Sequence, residues 1–138
     1  MEATTKIKFE GKYTESVGRR KRAIARVRLF PGKGKIVIND RELKTYFPLV
    51  KLQEVVLLPL TMTGRKESVD VQVKVEGGGI SGQADAVALG ISRCLVTEDA
   101  DVKGTLKKEG LMTRDSRRRE RKKPGKRSAR RSPQWAKR

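Results

Sequence analysis

Residues Arg114 to Arg138 carry thirteen Lys or Arg against two Asp or Glu, a net +11 out of +18 for the whole 138-residue chain. Apart from Trp135 and a few alanines, nothing in this stretch can be buried. Such a segment cannot recover its ordering entropy through a core, so it is expected to stay disordered until an anion settles on it. A polyphosphate backbone is the anion that suits a charge run of this length. The fold must therefore be built from the first 113 residues, which hold 21 basic and 14 acidic side chains and nearly all the branched aliphatics.

That length suits one domain without disulfides, though not by a wide margin. Cys94 is the only cysteine and histidine is absent, so no disulfide framework, Cys/His metal site or histidine-activated nucleophile can be assembled within the chain. No cofactor is expected. The segment Met1 to Gly11 lacks the apolar run of a secretory signal. The longest apolar run, Val55 to Leu60, falls far short of the roughly 20 residues that span a bilayer. A cytoplasmic protein, or one working inside an organelle, is expected. No membrane partner is expected either, because the basic tail has no apolar face to anchor it on anionic lipid.

Ala23, Ala25, Val27 and Leu29 alternate with Arg22, Ile24, Arg26 and Arg28, the period of a strand with one apolar and one basic face. The turn Pro31 to Gly34 then predicts a hairpin with a second strand over Lys35 to Ile38. Asn39 and Asp40 offer a cap for a brief helix toward Phe47, and a second helix follows Pro48, to be kinked or ended at Pro59. Val69, Val71, Val73 and Val75 alternate with Asp70, Gln72, Lys74 and Glu76, the cleanest strand of the chain. From Ala84 to Leu95 the apolar residues recur at three- and four-residue steps, an amphipathic helix whose Gly90 points to close packing against a neighbour. A last short helix is expected within Lys103 to Gly110. The order β-β-α-α-β-α is that of an α+β domain with helices on one face of a sheet.

Between the valine strand and the long helix lies G-G-G-I-S-G-Q-A, Gly77 to Ala84. Gly77, Gly78, Gly79, Ser81 and Gln83 can form either a tight turn at positive φ with Ser81 capping the helix, or a backbone cradle for a phosphate. A nucleotide pocket is disfavoured, since the Lys and Ser/Thr of a P-loop are missing. Arg26 and Arg28 repeat on one strand face and Arg19, Arg20, Lys21 and Arg22 crowd its entry, with almost no acid to balance them, which favours a phosphate-contacting surface. Glu98, Asp99 and Asp101 read as a solvated helix end rather than a metal site. Trp135, set among Arg130, Arg131, Lys137 and Arg138, is suited to stacking on a base. No catalytic constellation emerges.

Four segments, taken with the chain's closing residues, resemble a known family. They are S-V-G-R-R-K-R-A-I-A-R-V (Ser16 to Val27), G-K-G-K-I-V-I-N (Gly32 to Asn39), the glycine segment, and T-R-D-S-R-R-R-E-R-K-K-P-G (Thr113 to Gly125), with A-R-R-S-P-Q-W-A-K-R closing the chain. In this order they are similar to small-subunit ribosomal protein nine of bacterial type, from about Tyr13 onward. The resemblance implies an α+β two-layer sandwich like the second domain of small-subunit ribosomal protein five, with a long extended basic C-terminal tail. It divides the chain into an N-terminal extension (1–12, with no role assigned), a globular RNA-binding domain (13–113) and the tail (114–138). It implies a structural role in the small ribosomal subunit, bound to ribosomal RNA in the subunit head beside neighbouring head proteins, with no small-molecule substrate.

The contacts to ribosomal RNA would come from the strand and glycine residues above and from Arg114, Arg117, Arg118, Arg119, Arg121, Lys122, Lys123, Lys126, Arg127, Arg130, Arg131 and Trp135. Lys137 and Arg138 would reach the anticodon stem-loop of the peptidyl-site transfer RNA. Two residues depart from the usual tail: Trp135 stands where tyrosine or phenylalanine is common, and Ala136 replaces a frequent serine, which removes a hydroxyl contact. Two rivals follow from the residues alone. One is a small-metabolite kinase, which would need a second domain; the other is a DNA-compacting protein, which would bind any duplex alike.

Overall fold

The computed structural model of the chain describes residues 7–137. Five strands form one sheet in the order β1-β2-β5-β3-β4. They are β1 (Thr14–Arg20), β2 (Ala23–Pro31), β3 (Ile36–Ile38), β4 (Arg41–Glu42) and β5 (Val69–Glu76). Helices α1 (Leu43–Tyr46) and α2 (Val50–Met62) lie between β4 and β5. The long α3 (Ile80–Glu98) follows β5, and a 3-10 turn (Ala100–Val102) leads into α4 (Lys103–Lys108). The fold is α+β, as the order of elements predicts. Residues 113–137 contain no helix and no strand.

The alternation read in β2 and β5 sets the layers. Ala23, Ala25, Val27 and Leu29 are fully buried, together with Val71 and Val73, against Ala84, Val87, Ile91 and Leu95 of α3. The close approach expected at Gly90 is present, and it has a second partner. A methyl group on Gly90 would lie 2.5 Å from Val27 Cγ2, and one on Gly18 would lie 1.9 Å from the Ala86 carbonyl oxygen. Helix and sheet backbones thus touch where two glycines face each other. Cys94 sits in the same layer, fully buried, its Sγ 3.6 Å from the Val27 carbonyl oxygen. Burial, reinforced by the negative charges of Glu98 and Glu15, pushes its thiol up to about 12, so it stays a protonated packing residue at neutral pH.

Three sequence expectations are corrected and a fourth is narrowed. β2 and β3 do not form a hairpin, because β5 lies between them, antiparallel to β2 and parallel to β3. The Gly32–Lys35 loop carries the chain across β5 and is gathered on one carboxylate: Asp70 Oδ1 accepts from the backbone N–H groups of Lys33, Gly34 and Lys35 at 2.8 to 3.0 Å. The hairpin that does form joins β2 to β1, an earlier strand that basic residues disguise. Asn39 and Asp40 are not a helix cap; both adopt left-handed φ (48° and 64°) as the two-residue turn between β3 and β4. The Asn39 amide accepts from Val75 N–H at 2.9 Å and donates to its carbonyl at 3.0 Å, extending the β3–β5 ladder by one side chain. Ser81 does not cap α3; Gly79 occupies that position and no side chain caps the end. Of the two outcomes expected at Pro59, a kink or an end, the end does not occur, since α2 runs on to Met62.

The N-terminal extension, to which the sequence gives no role, supplies a cover for the open face of the sheet. Phe30 alternates away from the core yet is only 4% exposed. Phe9 stacks on it with ring centroids 5.4 Å apart, and Tyr13 leans on it at 5.3 Å.

Candidate nucleic-acid interface

The basic residues fall into three groups that the fold separates. On the open face of the sheet, Arg19 of β1 is followed laterally by Ile24 and Glu76, while Arg26 pairs across to Val17 on one side and Lys74 on the other. Arg28 lies beside Glu15 and Gln72. Glu15 reaches both Arg26 (3.4 Å) and Arg28 (3.3 Å), and the Arg28 guanidinium sits 4.9 Å above the Tyr13 ring. Exposed pairs of this kind contribute only about 0.2–1 kcal/mol, so this face keeps its positive charge for an outside anion. Lys74 belongs here as well: alternation alone places it on a wet face, and only the β2–β5 register puts it beside Arg26.

The second group surrounds the β1–β2 turn. Arg22 is not part of the sheet face with Arg26 and Arg28. With Lys21, whose φ is +53°, it forms the two-residue turn against the glycine segment. Gly77 and Gly78 have φ of +72° and +63°, as the tight-turn reading expects, though without the Ser81 cap, and a methyl on Gly78 would lie 2.9 Å from Ala23 N. Gly79, Ser81 and both preceding glycines are exposed. Gln83 is engaged within the protein: its Oε1 accepts from Tyr46 Oη at 2.7 Å and its Nε2 donates to the Gly77 carbonyl at 3.0 Å. It braces the glycine turn.

The tail forms the third group, and its root is fastened. Arg20 points to the helix side of the sheet, where its Nε lies 3.5 Å from Asp85 of α3 and its Nη1 lies 3.1 Å from Asp115. The same Nη1 donates to the Arg117 carbonyl at 3.3 Å, and the Arg20 side chain is 15% exposed. Asp115 is also forked by Arg117, whose Nη2 and Nε donate at 2.7 and 3.0 Å. Those hydrogen bonds, with the Arg117 backbone N–H and the nearby Arg20 charge, hold the Asp115 carboxyl well below the usual carboxylate range. Arg20 therefore acts as the clasp of the tail, a role the sequence did not reveal because Asp85 and Asp115 are remote from it in the chain. Arg114 donates to the Asp115 carbonyl at 3.1 Å.

Beyond the clasp, Arg118, Arg119, Arg121 and Lys122 are exposed, as are Lys126, Arg127, Arg131 and Lys137. Glu120 takes up Lys123 and Arg130, and Lys126 Nζ donates to Ser132 Oγ at 2.7 Å. Trp135 is 80% exposed, with no core around it. Arg138 lies outside the described residues. Near the end of α3, Glu98 binds Arg65 (3.0 Å) and Thr14 (3.0 Å), and Asp99 accepts from the Asp101 N–H. Among the described residues no cluster of acids, Cys or His could hold a metal ion, and no helix is long and apolar enough to cross a membrane.

A small α+β domain with two basic surfaces and a fastened cationic tail has the build of a ribonucleoprotein subunit. A family model described as ribosomal protein S9/S16 matches residues 18–138, most of the chain. The chain belongs to that ribosomal protein S9 family: it is an RNA-binding, non-enzymatic structural component of the small ribosomal subunit, working in translation.

The sheet face gives a first prediction. Replacing Arg26, Arg28 and Lys74 together by alanine should reduce incorporation into small subunits and flatten the salt dependence of RNA binding by about three in log–log slope, one per lost phosphate contact. The melting temperature should barely move. Normal incorporation of the triple variant would show that this face is merely solvated.

Proposed function

We propose that the protein binds ribosomal RNA in the head of the small subunit through its folded domain, and that its tail runs on to the peptidyl-site transfer RNA. The observation that carries this reading is the division of charge: a net +11 in residues 114–138, without helix or strand over the described part, joined to residues 1–113 with a net of only +7. Phosphate contacts position a protein without reading sequence, so recognition would rest on the shape of folded RNA. Beyond its fastened root, residues 114–122, the tail is disordered until RNA orders it, and that ordering cost falls due on assembly. The Arg20 clasp limits that cost by fixing the direction in which the tail leaves. Lys137 and Arg138 contact the anticodon stem-loop, while Trp135 and the other tail cations contact ribosomal RNA. The helices stacked on one face of the sheet support the two-layer architecture of the second domain of small-subunit ribosomal protein five. Partners are the RNA, the transfer RNA and adjacent head proteins, in the cytoplasm or in an organelle.

Sedimentation tests this. Tagged protein should co-migrate with small subunits through a sucrose gradient at moderate salt and remain there at high salt, because buried contacts resist screening. Release to the top of the gradient at modest salt would indicate loose polyanion binding and overturn the reading.

A further inference from the structure

The β1–β2 turn and the tail face each other across a cleft of about 590 Å³ lined by Lys21, Arg22, Gly78 and Gly79 on one side and by residues 118–122 on the other. Six of the lining side chains are cationic, and Glu120 is the only acid among them. Glu120 is already engaged by Lys123 and Arg130. Among the described residues none of Lys21, Arg22, Arg118, Arg119, Arg121 and Lys122 has a carboxylate partner. Arg20, Arg26, Arg28, Arg65 and Arg117 each have one; Arg19, Lys74 and Arg127 are also without one among the described residues, but they do not line this cleft, and it is the gathering of six about one cavity that sets the group apart. Cations left unbalanced while gathered about one cavity repel each other until an anion enters. Its volume is in the range, roughly 300–1,000 Å³, of clefts that enclose a small ligand, so it admits one strand of backbone and not a duplex. The Arg20–Asp115 clasp at the root of the tail places the far wall.

We propose that this cleft is a clamp for adjacent backbone phosphates of a single RNA strand, closed on one side by the domain and on the other by the tail. The inference rests on the ribosomal RNA reading above and adds that the two walls hold the same phosphates. Domain and tail are then one site here, so their contributions are coupled rather than additive.

The test uses the full chain and small-subunit ribosomal RNA made by transcription, with affinity measured by filter binding over a range of salt. Three groups are replaced by alanine: Lys21 with Arg22, Arg118 with Arg119 and Arg121, and, as a distant control, Arg26 with Arg28. Either wall alone should flatten the log–log salt slope by about two, and both walls together by little more than either, since one phosphate lost to one wall is lost to both. The sheet-face control should add in full to each wall. Additive losses for the two walls, or no loss for either, would overturn the clamp while leaving RNA binding standing. Wild-type protein that fails to prefer this RNA over duplex DNA of equal length would overturn the underlying reading and the clamp with it.

Discussion

Gly18→Ala is expected to lower the melting temperature of the free protein by about 15 °C, the consequence of roughly 3 kcal/mol of overpacking in a domain of this size. The added methyl group would sit 1.9 Å from the Ala86 carbonyl oxygen and 2.5 Å from Gly90 N. Both are backbone atoms of α3, so no rotamer change can clear them. The helix must lift from β1, which separates Cys94 from Val27 and loosens the Arg93 Nη1 bond to the Val17 carbonyl, now 2.6 Å. A domain with typical stability of about 5–15 kcal/mol loses a large share of it. Gly104→Ala is the matched control. Gly104 lies in α4 with nothing within 4 Å of the added atom and no left-handed φ, so alanine should raise stability slightly, by about 0.5–1 kcal/mol. Thermal melts followed by circular dichroism measure both. A Gly18→Ala protein melting within a few degrees of wild type would show that helix and strand are not in the contact described.

Where side chains repeat with the period of their element, the sequence was legible. The valines of β5 and the small apolar residues of α3 each declare a buried face, and the alternation in β2 separates core from open surface without reference to any partner. β1 escaped because its buried side is Thr14, Ser16 and Gly18, small residues chosen to let α3 approach, and hydrophobic patterning cannot register a face that is defined by absence. Short separation suggests a β2–β3 hairpin; what decides the pairing is that β5, with its buried valines, lies between β2 and β3 and pairs with both, and Asp70 gathers the loop that crosses it.

The site divided along the same line. Charge made the tail and the Arg26–Arg28 face visible at once, since charge needs no neighbour to be counted. Function that depends on remote pairing was not visible. Arg20 reads as one more phosphate ligand until Asp85 and Asp115 stand beside it, and Gln83 as part of a phosphate cradle until Tyr46 reaches it. The role of Phe9 as a lid on Phe30 likewise depends on a contact between segments that no local pattern predicts.

Deleting residues 129–138 should leave the domain as stable as wild type and still incorporated, while transfer RNA leaves the peptidyl site about tenfold faster or more. The first half follows from the contacts. Within the described residues the deleted stretch makes its hydrogen bonds and ion pairs to other tail residues, through Arg130 to Glu120, Ser132 to Lys126, and Arg131 to Arg127 and Ser128, so no such bond to the core or sheet is lost. The second half follows from what is removed: Arg130, Arg131, Lys137, Arg138 and Trp135 together. The two kinds of contact separate by salt. Trp135 stacks on ribosomal RNA in this reading, so Trp135→Ala should cost about 1–3 kcal/mol in affinity for that RNA, with little change in salt dependence because stacking releases no counterions, and should spare transfer RNA retention. Lys137→Ala with Arg138→Ala should instead weaken retention most at low salt and flatten the slope by about two. Filter binding of transfer RNA to subunits carrying each variant measures retention in all three, and filter binding of ribosomal RNA measures the affinity lost with Trp135. Full retention by subunits shown to contain the truncated protein would place the tail end away from the transfer RNA and confine its charge to ribosomal RNA. Loss in the Trp135 variant alone would instead assign the contact to stacking, and the closing basic pair would have no part in it.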